Sequence, residues 1–139
     1  MQHEQNDRVF SISKADLEGL TIKDMGLLYD GVWAAIEAAQ GVLNRPCAMR
    51  ETIKDGHEFP EHTPGAKALN EAVEYLHCLA MDIVNAAERI EPKTKDEAAD
   101  RACLLLTYAL ECETGTEALV GAIRIATDGF GYRFPAAAD

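Results

Sequence analysis

The chain has 139 residues, long enough for one core that hides roughly 70% of the unfolded surface without disulfide or metal staples. It carries 24 acidic against 13 basic side chains, a net charge of -11, which is the wrong sign for gathering phosphates and argues against nucleic-acid binding. Apolar residues make up 47% of the chain but are interrupted by charges, so no run approaches the ~20 residues that cross a bilayer, and no membrane partner is expected.

The first residues, from Met1 to Asp7, are polar and carry neither the basic start nor the apolar middle of a secretory signal. Residues 1–12 are expected to be a flexible tail. Ser13 followed by Asp16 is a capping box, in which a hydroxyl and a carboxylate satisfy two orphan amides reciprocally, and it predicts a short helix over 14–19. A second box, Thr21 with Asp24, opens a long helix over 22–44. Its apolar residues Met25, Tyr29, Val32, Ile36, Ala39 and Leu43 recur at spacings of three and four, as one buried stripe requires.

That helix is also rich in small residues. Gly26, Gly31 and Gly41 each weaken it, and Ala34, Ala35, Ala38 and Ala39 add little bulk, so something must compensate. Close packing of neighbouring helices is one reading, and a self-association face is the sharper one.

Pro46 ends this helix, and the stretch from there to Thr63, with Gly56, Pro60 and many charges, is expected to be an irregular loop with one helical turn at 48–54. Basic Arg45, Arg50 and Lys54 lie among Glu51, Asp55 and Glu58, which removes any continuous basic surface. His57, Glu58, Glu61 and His62 include ligand types that borderline metals accept, but the spacing fits no rigid motif and a solvated loop is expected.

Thr63-Pro64 starts the next helix, because proline's missing amide costs nothing at the first helical position. The stripe of Leu69, Val73, Leu76, Ala80, Ile83, Ala87 and Ile90 carries it over 64–91, where Pro92 stops it. Thr94 and Glu97 form a third box, and a helix is expected over 95–127, with the stripe keeping its phase through Gly115. Ala98, Ala102, Leu105, Ala109 and Cys112 line one side of it, and Ala99, Cys103, Leu106 and Leu110 the adjacent side, which predicts burial over a wide arc and a central position. The four cysteines include no Cys-x-x-Cys pair and are expected to be reduced, buried thiols of a cytoplasmic protein. Phe130, Tyr132 and Phe134 make residues 129–139 an aromatic tail suited to docking.

Long helices with short links favour antiparallel neighbours, so the expected fold is all-α: an antiparallel up-down bundle of three long helices plus a short N-terminal helix, one domain over residues 1–139. No sheet is expected.

Two functional readings follow. The favoured one is a non-enzymatic interaction or regulatory bundle that self-associates as a homodimer, recognises a protein partner and needs no cofactor. The alternative starts from Glu74 and His77, a Glu-x-x-His that puts a carboxylate and an imidazole on one helix face, with Glu37 about one turn away in level on the preceding helix. Two copies in a homodimer would surround a di-metal centre of iron or manganese, and that ligand pattern resembles half-ferritin di-iron assemblies. The resemblance implies an oxidoreductase or a metal store. Glu37 and Glu74 each follow a core position, Ile36 and Val73, which equally suits solvated flanks.

Overall fold

A computed structural model describes residues 12–112, 115–117, 120–121 and 123–124 of the chain. Four helices begin directly after Ser13, Thr21, Thr63 and Thr94: α1 (Lys14–Glu18), α2 (Ile22–Leu43), α3 (Pro64–Glu88) and α4 (Lys95–Glu111). The capping chemistry is on view at each. The Asp16 amide donates to Ser13 Oγ at 3.1 Å, and the Ser13 amide donates back to Asp16 Oδ2 at 3.0 Å. Hydrogen bonds from the Ser13 hydroxyl, then from its amide, hold the Asp16 carboxyl below the usual carboxylate range. Thr21, Thr63 and Thr94 accept from the amides of Asp24, Ala66 and Glu97 at 3.1, 3.2 and 3.1 Å. The Glu97 carboxylate reaches one residue past the cap and accepts from the Lys93 amide at 2.7 Å.

The expected all-α bundle is corrected in two respects. Residues assigned to a loop form an antiparallel hairpin, β1 (Met49–Lys54) and β2 (His57–His62), entered through a 3-10 turn at Pro46–Ala48. A single bundle of three long helices is not what the structure shows either, because contacts divide the chain into two compact units. α2 and α3 each contribute to both.

One unit takes residues 1–26 and 82–139. Its described interior combines Leu17 of α1, Ile22 and Met25 at the start of α2, Ile83 and Ala87 at the end of α3, and Leu105 of α4. At its surface Arg89 pairs with Glu18 at 3.5 Å, and Arg101 Nη2 donates to the Glu88 carbonyl at 3.3 Å. Burial on α4 is narrower than expected. Ala98, Ala102, Leu104 and Leu105 are buried, but Cys103 is exposed and Leu110 is 59% exposed.

α4 also ends early. Cys112 is its C-cap, Gly115 is not helical, and helical backbone resumes at 116–117, so the expected single helix over 95–127 is broken. Gly115, a weak helix former, lies within the break between the two helical stretches. The cysteine expectation also changes, for all four thiols are free but Cys47, Cys78 and Cys103 are exposed and Cys112 half-buried. The aromatic tail at 129–139 and the polar start lie outside the described residues, apart from Ile12, which is exposed.

The other unit is Leu27–Met81. The stripe expected on α2 is in place, with Tyr29, Val32, Ile36 and Leu43 buried, and α3 answers with Ala66, Val73, Leu79 and Ala80. In sequence the hairpin lies between α2 and α3. Its register pairs Met49 with His62 and runs to Lys54 opposite His57, so the chain reverses across Asp55 and Gly56 alone. Both have positive φ, 52° and 76°, as the two-residue turn that matches strand twist demands. Thr63 donates its amide to the Ala48 carbonyl at 2.9 Å, which fixes the alternation. The pairs 50–61, 52–59 and 54–57 are then hydrogen-bonded, whereas 49–62, 51–60 and 53–58 are not. Pro60 therefore sits where no ladder amide is needed.

Candidate functional site

Glu61 ties the hairpin to the start of α3. Its carboxylate accepts from Thr52 Oγ1 at 2.7 Å, lies 3.7 Å from Arg50 Nη2 and is bonded by the Lys67 ammonium. The Lys67 hydrogen bond, followed by that from Thr52, holds its pKa at about 2 against an ordinary 4.5, with partial burial opposing. A lowered folded-state value contributes stability that is present above the unfolded pKa and lost as pH falls through the folded one. Amide shifts beside Thr52 and Lys67 should thus follow Glu61 protonation with a midpoint at about pH 2, while the stability that Glu61 contributes, complete above pH 4.5, fades between pH 4.5 and about 2. Glu61→Gln should remove the part of that transition centred on Thr52 and Lys67; an identical NMR titration in the variant would show that the ion pairs hold nothing.

The hairpin also distributes the metal-ligand types of this segment. Because side chains alternate across a strand, His57 and Glu61 project from one face and Glu58 and His62 from the other. The His57 ring instead meets Phe59 edge-on, with centroids 6.3 Å apart.

The helical triad is placed as follows. Glu37 on α2 and Glu74 on α3 are exposed, and Asn70 Nδ2 makes a long 3.4 Å contact with Glu74 Oε1. His77 is half-buried and stands edge-on to Trp33, with ring centroids 5.3 Å apart and planes at 81°. That is the geometry an aromatic quadrupole favours. Trp33 in turn lies against Tyr29 at 6.2 Å. Its indole Nε1 is shut off from solvent with no acceptor in reach, a desolvation cost of roughly 1–3 kcal/mol. Among the described residues no three His, Cys, Asp or Glu side chains converge on one point.

What spacing arguments overlooked is a second stripe on α2. Leu27, Gly31, Ala34, Ala38 and Val42 recur at intervals of four, three, four and four, opposite the buried line, and all are exposed, Leu27 by 75%. Gly41 lies beside Val42. Among the described residues a Cβ built on Gly31 or Gly41 would meet nothing within 4 Å, so packing against them does not explain either glycine. From Gly31 to Asn44 the sole ionisable residue is Glu37. The signal was in the sequence, since a helix apolar on two opposite faces has one face too many for a single core.

No protein-family model matches the chain, and comparison with curated proteins and with solved structures finds no match. Among the described residues no helix is long and apolar enough to cross a membrane.

Proposed function

We propose that this chain is a non-enzymatic interaction module that self-associates through the outward face of α2. The observation that carries the reading is the exposed stripe of Leu27, Gly31, Ala34, Ala38 and Val42, small at its centre and apolar throughout, with no described atom near a Cβ built at Gly31 or at the adjoining Gly41. Small side chains let two backbones approach within the low end of the usual 8–10 Å interaxial range, where many weak contacts add up. A two-fold pairing sets the same face against itself, leaving Leu27 and Val42 to cover the glycines of the other copy. Glu37, one turn before Gly41, lies at the edge of this stripe.

Each copy carries a charge of -11, so like-charge repulsion opposes the contact and salt relieves it. Sedimentation equilibrium should show a reversible dimer that tightens as screening lengths shorten from about 30 Å in 0.01 M salt to about 8 Å at 0.15 M. Ala34→Glu with Ala38→Glu should give a monomer at every concentration, with the circular dichroism of the parent. A parent chain that stays monomeric throughout, or a doubly charged variant that dimerises as before, would sink the proposal.

A further inference from the structure

Among the described residues β1 pairs with β2 alone, so the hairpin has two outer edges, and they are not equivalent. On β2 the residues with outward backbone groups are Glu58, Pro60 and His62, and proline has no amide to offer there. On β1 the outward carbonyls belong to Met49, Glu51 and Ile53 and the outward amides to Glu51 and Ile53, spaced as an incoming antiparallel strand requires, the Met49 amide being taken by the Pro46 carbonyl. All three residues are exposed, Ile53 by 72%.

A second copy of β1 is a poor occupant. Antiparallel registers that match these outward groups set Glu51 against Glu51, Arg50 against Lys54, Arg50 against Arg50, or Glu51 against Asp55 of the turn, and directly opposed like charges destabilise a strand pair. The charges instead describe a complement. Arg50 and Lys54 share one face with Thr52 between them, Arg50 staying half exposed beside its long 3.7 Å pairing with Glu61 across the ladder, while Met49 and Ile53 share the other face with Glu51 between them. We infer that the β1 edge binds an extended acidic peptide strand of another protein by strand addition, with carboxylates opposite Arg50 and Lys54 and apolar residues opposite Met49 and Ile53. Main-chain bonds supply the affinity and the alternating side chains the selectivity. This goes beyond the α2 reading and shares no residue with it.

The test is fluorescence anisotropy of the full chain with a labelled synthetic peptide containing Glu-Val-Thr-Lys-Glu-Val, read antiparallel to residues 54–49. Saturable binding is expected, weakened at least tenfold in the charge-reversed peptide Lys-Val-Thr-Glu-Lys-Val. Methylating the amides of both valines and the central lysine of the first peptide should abolish binding, since those amides face β1. Ile53→Pro, which deletes one outward amide and no ladder bond, should abolish it too, with the melting transition kept. The inference is overturned by the absence of saturable binding, by equal affinity for the two charge patterns, by binding of the methylated peptide, or by undiminished binding to a folded Ile53→Pro chain. Ala34→Glu with Ala38→Glu leaves the hairpin untouched and should bind the peptide as the parent does, so failure of this site and of the α2 face are separately readable.

Discussion

Ile83→Ala is expected to lower the free energy of unfolding by about 2–5 kcal/mol. Ile83 has no exposed surface and sits on α3 among buried Val84, Ala86 and Ala87. Those alanines have no side-chain reach with which to fill the space that three lost carbons would leave, so the upper part of the range applies: cost grows with the cavity that remains after relaxation. Against a total of about 5–15 kcal/mol for a natural domain, this is a large share. At roughly 3–4 °C per kcal/mol for a chain of this length, the melting temperature should fall by about 10–20 °C. Leu110→Ala is the control. Leu110 is just as apolar and also helical but 59% exposed, and surface changes of this kind stay within about 0.5 kcal/mol. Equal losses for the two variants, by denaturant melts, would show that the interior is not where burial places it.

That pair of leucine-sized residues also marks what the sequence could and could not disclose. Helix beginnings were legible because a cap is local chemistry: Ser13, Thr21, Thr63 and Thr94 need only their own next few residues to be recognised. The main stripes of α2 and α3 were legible because burial on one face enforces a period. On α4 the adjacent line of Cys103 and Leu110 looked equally apolar, and only packing decides which of two apolar lines is covered. The hairpin escaped for the complementary reason. Alternation shows in a strand when one face is buried, and here Met49, Ile53 and Phe59 are all exposed, on both faces. Asp55-Gly56 was the available signal, a strong one for a two-residue turn, but Pro60 counted against a strand. A proline is excluded from bonded positions alone, and position 60 is not one. The triad of Glu37, Glu74 and His77 rests on spacing along two helices. What spacing cannot supply is the rotation of each helix, which leaves both carboxylates exposed and turns His77 to Trp33.

Gly31→Ala combined with Gly41→Ala should move stability and association in opposite directions. In the single chain a methyl at either position meets open space, neither backbone has positive φ, and both residues are inside α2. Replacing glycine with alanine in an exposed helix removes unfolded-state freedom without strain, which stabilises by roughly 1 kcal/mol at Gly31 and less at Gly41, in the last turn. A purely monomeric protein would gain nothing by keeping these glycines. If the outward stripe is a contact between copies, the same two methyls stand in the gap between backbones and hold the helices apart. Melting measured at concentrations too low for dimers should then rise in the variant, while its dissociation constant by sedimentation rises as well. Stabilisation with an unchanged dissociation constant would place the contact elsewhere on the chain. A loss of stability in the isolated chain would mean instead that Gly31 and Gly41 are already covered from within. The opposed signs matter because a general unfolding defect cannot imitate them: damage to the fold weakens both quantities, and only a face that is open in one copy and closed between two strengthens one while weakening the other.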